Sequence, residues 1–261
     1  MTFTDTQIHE GMAAADYFAL DAVSRSDLAQ VVKNPHRFKH WKATNHSTAA
    51  MQLGSLVHSL VLTPEQFVAE YLVSEEDSRR TKAWKADTEQ AAIEGRECVL
   101  RSDVAEALAI EDAANSEFKS LFASARKEVV ITGTHAATGM KVKARLDLLG
   151  DAFAADLKTT KDASSDGFAR SIGAFRYDIQ AAFYGDMAAA ALGLDVCPFW
   201  FACVETEPPY LPALWDLTDA WVENGRSSYE SALETYAIYQ AKGWPTSYGR
   251  GTLSPKPWMI G

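Results

Sequence analysis

The stretch ARLDLLGDAFAADLKTT, residues 144–160, contains the residues that decide the fold of this protein. Asp147 and Asp156 lie on either side of a short apolar run, and Lys158 follows Asp156 with one residue between them. Side chains two residues apart in a β-strand share a face, so Asp156 and Lys158 should project from the same side of one strand. If the two apolar segments pair antiparallel around the intervening Gly-Asp turn, Asp147 lies almost opposite Asp156. The stretch therefore predicts a hairpin that gathers two carboxylates and a lysine.

On the residues alone, two interpretations of this hairpin stay open. Carboxylates on neighbouring strands can bind a Mg²⁺ ion, which prefers oxygen ligands, and the Leu157 carbonyl could be a further ligand. Lys158 could then orient or deprotonate a water molecule that attacks a phosphodiester. An Asp-x-Lys sequence also occurs often as an ordinary surface ion pair. The position of Asp147 opposite Asp156 makes a metal site better supported than Asp-x-Lys alone would, but it does not exclude a surface ion pair.

The composition of the chain is that of a globular protein, with 47% hydrophobic and 23% charged residues among 261. It contains no run of about 18 apolar residues, so we expect no membrane span. The N-terminal MTFTDTQIHEGM lacks the basic start and apolar core of a signal peptide, which makes the cytoplasm the expected location. Cys98, Cys197 and Cys203 show no CxxC spacing, which argues against a zinc or iron–sulfur site and against a disulfide framework.

The net charge of −10 argues mildly against a protein that wraps nucleic acid nonspecifically, because phosphate binding is normally driven by Lys and Arg. An enzyme that binds phosphates through divalent metal ions needs local acidic residues instead, and the metal supplies the positive charge. The net charge therefore excludes neither class of protein.

Hydrophobic periodicity predicts an α/β fold, a mixed central β-sheet flanked by helices, in a single domain. Residues 16–72 look helical, with Ser24 or Ser26 as an N-cap and Pro35 after the first helix. Residues 75–125 are polar and rich in Ala and Glu, typical of surface helices. The predicted domain has a helical part at about 16–125, a core at about 126–243 and an extended C-terminal tail at 244–261. Within the core we expect a meander of strands at 128–134, 140–149 and 152–158, a helix at 168–193, a strand at 196–206 and a helix at 216–242.

Further polar residues could complete a site around the hairpin. Gln180 and Tyr184 are four residues apart on the predicted helix that follows the hairpin, so they share a face. His58 lies within an otherwise apolar helical stripe, where a histidine is more often a core residue than a functional one.

Together these segments resemble a known family of nucleases. ARLDLL, then DLKTT, then YDIQAAFYGD resemble the nuclease core of the PD-(D/E)XK superfamily, and more narrowly the RecE-type exonuclease VIII catalytic domain and its phage-encoded relatives. Early segments such as VSRSDLAQVVKNPHRFKHW and GSLVHSLVLTPEQF, and the closing tail rich in Trp and Pro, extend the resemblance over nearly the whole chain. The paired Asp, Asp-x-Lys and Gln-x-x-x-Tyr are specific in combination and weak separately.

The resemblance implies catalytic and metal-binding roles for residues at matching positions. Asp147 and Asp156 would bind the metal with help from the Leu157 carbonyl, and Lys158 would position the attacking water. His58 would also bind the metal, as in related nucleases with a histidine in this helix. Gln180 and Tyr184 would hold the geometry of the active site or of the DNA backbone. The superfamily often has Glu where this chain has Asp156, but RecE-type members use Asp.

Other family positions match less securely. Glu128, at the start of the meander, is at a position that is often acidic, and either a supporting carboxylate or a plain surface residue would fit. Ser26, Arg25 and Arg37 lie in the early segment where the family binds the 5′-phosphate of DNA, and they are candidate DNA-binding residues.

The activity that the resemblance implies is a Mg²⁺-dependent 5′-to-3′ exonuclease on linear double-stranded DNA, with Mn²⁺ able to substitute. It would leave 3′ single-stranded tails, work with a single-strand annealing protein and form a ring-shaped homo-oligomer, a trimer or tetramer. Two alternatives stay open, a structure-specific endonuclease of the same superfamily and a non-catalytic module that binds DNA or a partner. A nucleotide-binding enzyme finds no support, because the sequence has neither GxxxxGK[ST] nor GxGxxG after a strand.

Overall fold

A mixed β-sheet with helices on both faces forms the centre of the protein. The structure is a computed structural model and describes residues 2–44 and 47–256. The strands are β1 (Phe3–His9), β2 (Val23–Ser24), β3 (Tyr71–Ser74), β4 (Glu97–Leu100), β5 (Arg126–His135), β6 (Lys141–Leu149), β7 (Ala154–Thr160), β8 (Phe199–Glu205) and β9 (Pro212–Asp216). The helices are α1 (Ala14–Ala19), α2 (Arg25–Lys33), α3 (Phe38–Lys42), α4 (Ala49–Leu62), α5 (Phe67–Glu70), α6 (Lys82–Ile93), α7 (Arg101–Ala123), α8 (Ser165–Phe175), α9 (Tyr177–Leu192) and α10 (Asp219–Lys242), with 3-10 turns at Pro35–Arg37 and Pro64–Gln66.

The strand order of the large sheet is β1-β5-β6-β7-β8-β9, and β2 pairs with β6. Neighbours from β1 to β7 are antiparallel, β7 and β8 run parallel, and β8 and β9 are antiparallel. The predicted α/β class and the antiparallel meander of β5, β6 and β7 are therefore confirmed. The third strand of the meander begins two residues later than expected.

The two central strands separate soon after their turn. In the hairpin of β6 and β7, only Leu148 with Ala155 and Leu149 with Ala154 pair. Continuing this register would place Asp147 opposite Asp156, but the ladder stops before that pair. Beyond it β6 pairs with β5 and β2, and β7 pairs with β8. The sheet therefore opens between β6 and β7, at the point where the two carboxylates lie.

A hydrophobic core fills each face of the sheet, because side chains alternate along the strands. In β8, Phe199, Phe201 and Cys203 face a core shared with α2, α8, α9 and α10. Ala202 and Val204 face a second core that contains residues of α4 and α7. The open part of the sheet thus lies between two packed layers of helices.

Local sequence signals explain where several helices begin. Ser24 is the N-cap of α2, since its hydroxyl accepts a hydrogen bond from the Asp27 amide (3.3 Å) and its own amide donates to the Asp27 carboxylate (2.9 Å). Of the two predicted caps, Ser24 is therefore the correct one, and Ser26 lies exposed in the first turn. Thr48 is the N-cap of α4, where its hydroxyl accepts a hydrogen bond from the Met51 amide (3.2 Å).

Other parts of the fold differ from the sequence predictions. The helix expected at 168–193 is two helices, α8 and α9, separated at Arg176, which has a left-handed backbone (φ 55°). The region 75–125 is more than surface helices, because α7 buries Ile110 and Phe118 and because the region contains β4, which pairs in parallel with β3. Strands β1 to β4 and β9 were not predicted, and β2, β3 and β4 lie in or beside segments that were expected to be helical.

The C-terminal tail is anchored through one of its tryptophans. Residues 244–256 form neither helix nor strand and are mostly exposed, as expected. Trp244 is half-buried and stacks on Phe38 with ring centroids 4.5 Å apart. The predicted tail at 257–261, with its second tryptophan, lies outside the described residues. Over the described ranges, no helix has both the length and the apolar character that a membrane crossing requires.

A glycine on α10 sets how closely this helix approaches α9, and its replacement tests that packing. A Cβ added at Gly225 would lie 2.1 Å from the Asp178 backbone oxygen, so Gly225→Ala must push the two helices apart. We expect a loss of about 1–3 kcal/mol in the free energy of unfolding, measured by denaturant titration. Gly173→Ala is the matched control, because a Cβ there meets nothing within 4 Å on an exposed part of α8. The control should be neutral or stabilise by about 0.5–1 kcal/mol, and equal losses in both variants would contradict this account.

Candidate active site

Polar side chains from four elements meet where β6 and β7 separate. Strand β7 contributes Asp156 and Lys158, β6 contributes Asp147, α4 contributes His58 and α9 contributes Gln180. Both aspartates and Gln180 are buried, with 7%, 4% and 4% of their surface exposed. Buried polar groups of this kind require hydrogen-bond or charge partners.

Asp147, His58 and the backbone of Leu157 form one connected group. Asp147 Oδ2 accepts a hydrogen bond of 2.8 Å from the Leu157 amide and lies 3.4 Å from His58 Nδ1. His58 Nε2 lies 2.7 Å from the Leu157 carbonyl oxygen, which can only accept, so this nitrogen carries the proton. In a neutral imidazole the Nδ1 lone pair then faces the carboxylate. Such a nitrogen beside a carboxylate oxygen is a suitable pair of ligands for a metal ion.

Glu128 adds a second carboxylate to this group. One ligand atom each from His58, Glu128 and Asp147 lie within 4.8 Å of one another. The partners Lys127 with Leu148 and Val129 with Leu146 place Glu128 beside Asp147 across β5 and β6. Glu128 has a left-handed backbone (φ 53°), a strained conformation of the kind that is concentrated at functional sites.

Arg145 lies next to this group and was not singled out from the sequence. Its Nε makes an ion pair with Glu128 Oε2. Arg145 precedes Asp147 by two residues on β6, so the strand alternation that related Asp156 to Lys158 could have identified it. The ion pair holds the Glu128 side chain beside the other carboxylates.

Asp156 has a different partner on each oxygen. Gln180 Nε2 donates to Oδ1, and the Lys158 ammonium lies against Oδ2. Oδ2 is buried and accepts no regular hydrogen bond within the described part of the chain. Asp156 and Lys158 therefore share a face of β7, as strand alternation predicts, and Gln180 fixes the orientation of the carboxylate.

The electrostatics of the group favour a cation. Burial, and then the Asp156 charge, raise the pKa of Asp147 above its usual range, while His58 opposes the shift. Burial lowers the pKa of Lys158, but Asp156 and then Tyr177 and Asp147 outweigh it, so the pKa lies above its ordinary value. Carboxylates crowded in a buried place repel each other unless a positive charge is among them. Carboxylate oxygens and an imidazole nitrogen so close together are a suitable ligand set for a divalent metal ion.

The aromatic ring of Tyr177 covers one side of the group. Its centroid lies 4.9 Å from Lys158 Nζ and 5.6 Å from Arg25 Cζ. Tyr177 was not predicted as a site residue. The interruption between α8 and α9 at Arg176 brings Tyr177 to this position, because α9 starts in a new direction after α8.

The remaining predicted residues differ in how near they lie. Arg25 donates to the backbone oxygens of Phe175 (2.7 Å) and Arg176 (2.8 Å), beside the site. Tyr184 is buried one helical turn after Gln180, and burial, followed by charges that include Asp156, raises its pKa.

Two of the candidate DNA-binding residues do not join this cluster. Ser26 is exposed on α2 and makes no hydrogen bond to the cluster among the described residues. Arg37 lies beyond the other end of α2, where it contacts Tyr248. Of the three candidate DNA-binding residues, only Arg25 lies beside the cluster, and the DNA-binding role of all three stays a prediction.

With this geometry in place, the comparison with protein families is decisive. A family model described as a PDDEXK-like domain of unknown function, DUF3799, matches residues 24–253. The chain belongs to this family. The match includes all the residues of the cluster, and the predicted relationship to the PD-(D/E)XK superfamily is confirmed.

One solved structure agrees with the DUF3799 assignment at the level of the fold. A crystal structure from Eubacterium rectale, titled "Putative exonuclease", superposes with a TM-score of 0.64 at 16% identity and covers 96% of this chain and 98% of that one. The structure of SSO0001 (TM-score 0.36, 12% identity, 85% of each chain) is too distant to support an argument. The same is true of protein VC1899 from Vibrio cholerae (TM-score 0.24, 10% identity, 92% of this chain and 60% of that one). No curated protein matches the chain.

The family and the fold support a nuclease of the hydrolase class. PDDEXK nucleases typically depend on divalent metal ions, and His58, Glu128 and Asp147 offer a candidate site for one.

Proposed function

We propose that this DUF3799 protein is a Mg²⁺-dependent exonuclease that degrades linear double-stranded DNA from 5′ to 3′ and leaves 3′ single-stranded tails for recombination by strand annealing. The observation that supports the proposal most directly is the burial of Asp147, Asp156 and Lys158 together where β6 and β7 separate. A scaffold without catalytic function gains nothing from crowding like charges in its interior.

The proposed metal ligands are the Asp147 and Asp156 carboxylates, the Leu157 carbonyl and His58 Nδ1, with Glu128 as a further carboxylate beside them. A divalent ion bound there would neutralise the carboxylates, activate a water molecule and stabilise negative charge on the phosphate, with Mn²⁺ able to replace Mg²⁺. Because the Leu157 carbonyl faces His58 Nε2 and its amide is bonded to Asp147, the backbone of β7 fixes two of these donors relative to each other.

The other residues of the cluster orient the reacting groups. Lys158 would direct its ammonium at the attacking water and at the developing charge on the phosphate. Gln180 holds Oδ1 of Asp156, so that Oδ2 stays on the side of Lys158. Tyr184 would support this face of α9, and Arg25, beside Tyr177, would contact the DNA backbone near the reaction centre.

The polarity of digestion and the partners rest on the resemblance to RecE-type exonucleases. A ring-shaped trimer or tetramer would enclose the duplex, and only its channel would need to be basic, which is compatible with a net charge of −10. An annealing protein would then take up the 3′ strand that is released.

End-labelled DNA tests the proposal. In the presence of Mg²⁺, a linear duplex with 5′-phosphates should release a label at its 5′ end as mononucleotides. At each end of the duplex, the strand that ends 3′ should persist. A circular duplex of the same sequence should stay intact, and chelation of the metal should stop the reaction. Cutting of the circular duplex would show that the protein is an endonuclease instead. If neither the linear nor the circular DNA is degraded, nuclease activity is rejected.

A further inference from the structure

Two segments of this acidic chain contain no acidic residue. The protein has 35 Asp and Glu residues and a net charge of −10, yet none of them lies in residues 28–64 or in residues 235–261. The first segment contains Lys33, Arg37, Lys39 and Lys42, and the second contains Lys242, Arg250 and Lys256. Both segments therefore carry a net positive charge within an acidic chain, although they are far apart in sequence.

The fold brings these two segments together. Asn34 Nδ2 donates to the Tyr248 hydroxyl (2.7 Å), and the rings of His36 and Tyr248 stack with centroids 4.5 Å apart. Lys39 Nζ lies 5.6 Å from the centre of the Trp244 ring. The C-terminal tail thus lies along the turn between α2 and α3. We call the surface formed by Lys33, His36, Arg37 and Lys39 the basic face.

Lys33, Arg37 and Lys39 are exposed and make no ion pair with any carboxylate in the described ranges, whereas most other arginines there do. Lys42, at the edge of this surface, is different because it is bonded to Asp27 at 2.8 Å. Surface cations without partners keep their full charge available for a polyanion.

Helix α2 links the basic face to the candidate active site. Helix α2 begins at Arg25, beside Tyr177, and ends at Lys33. Nine helical residues span roughly 13 Å, at about 1.5 Å per residue. Phosphates follow each other along one strand of a duplex at about 3.4 Å of axial rise, so the face lies only a few base pairs from the reaction centre.

We propose that the basic face binds the sugar-phosphate backbone of the DNA duplex outside the active site, independently of base sequence. This inference rests on the proposed nuclease function, since it assumes that a polyanion occupies the neighbouring cluster. That neighbour is the reason to choose DNA over an acidic peptide as the occupant. Each lysine that contacts a phosphate releases counterions, so binding should weaken steeply with salt.

Equilibrium binding of a fluorescent 30-bp duplex tests this surface, with Ca²⁺ in place of Mg²⁺ and a series of salt concentrations. The double variant Lys33→Gln with Lys39→Gln should bind at least about five-fold more weakly at 100 mM salt. Its plot of log affinity against log salt should be shallower by about 0.9 for each lost contact. Lys33→Arg with Lys39→Arg should restore both quantities, which separates lost charge from a folding defect.

The matched control is Lys119→Gln with Lys141→Gln, which removes the same charge from exposed positions on α7 and β6. It should bind DNA like the wild type. Equal effects of the two double variants, or wild-type binding by the basic-face variant, would overturn the inference. The inference would also be overturned if polyglutamate competed for the basic face and DNA did not.

Failure of this inference can be told apart from failure of the proposed function. If the wild type degrades linear duplex while both double variants bind it equally well, the basic face is rejected and the nuclease remains. If the wild type binds duplex through the basic face but never degrades it with Mg²⁺, the nuclease is rejected and the DNA surface remains.

Discussion

Replacing Lys158 with alanine should slow duplex degradation by about 10²- to 10⁴-fold, the range typical of losing one positioned proton donor or charge-stabilising group. The Lys158 ammonium lies against Asp156 Oδ2 and beneath the Tyr177 ring. No other cation makes an ion pair with Asp156 in the part of the chain that the structure describes. The measurement is the single-turnover rate on a 5′-phosphorylated linear duplex with saturating enzyme and Mg²⁺.

Stability must be measured with the same variant, because removing one partner of a buried ion pair is destabilising. Lys158→Met keeps the length and packing of the side chain without its charge, so it should be nearly as inactive as the alanine variant but better folded. Lys161→Ala, at an exposed position three residues later, is the matched control and should keep wild-type activity. Folded Lys158 variants with rates within two-fold of the wild type would exclude a catalytic role for this residue.

Much of the site could be predicted because its signals are local. Asp156 and Lys158 share a face through strand alternation, and the short Gly-Asp turn sets the register that directs Asp147 towards them. Ser24 and Asp27 form a capping box within one turn of α2, so that helix start could also be predicted. These inferences need only residues that are close in sequence.

What could not be predicted depends on contacts between distant residues. The helical pattern runs unbroken through Arg176, yet its backbone is left-handed and its side chain donates a hydrogen bond to Ser228 on α10, 52 residues later. Without that break, Tyr177 would not be expected over Lys158.

Strand pairing also joins residues that are distant in sequence. Glu128 and Arg145 form an ion pair only once β5 and β6 are in register, and β1 is defined by its pairing with β5 more than a hundred residues later.

Replacing Asp147 with asparagine should raise the stability of the metal-free protein while it abolishes metal binding and activity. Burial and the Asp156 charge raise the pKa of Asp147, which means that its ionised form is destabilised in the folded protein without metal. Asparagine has nearly the same shape, and its oxygen can still accept the hydrogen bond from the Leu157 amide. With the metal chelated, we therefore expect the melting temperature of the variant to exceed that of the wild type by about 2 °C or more.

With Mg²⁺ the order should reverse, because a ligand that binds only the folded state stabilises the protein that can bind it. The wild type should gain thermal stability as Mg²⁺ is added and the Asp147→Asn variant should gain much less, while its degradation rate falls at least about 100-fold. Asp151→Asn, in the exposed turn of the same hairpin, is the control and should behave as the wild type in all three measurements. If Asp147→Asn were destabilised without metal and still stabilised by Mg²⁺, Asp147 would be a structural acceptor for Leu157 and not a metal ligand. A variant that is more stable, inactive and insensitive to Mg²⁺ is expected only if the buried charge of Asp147 is kept for the metal.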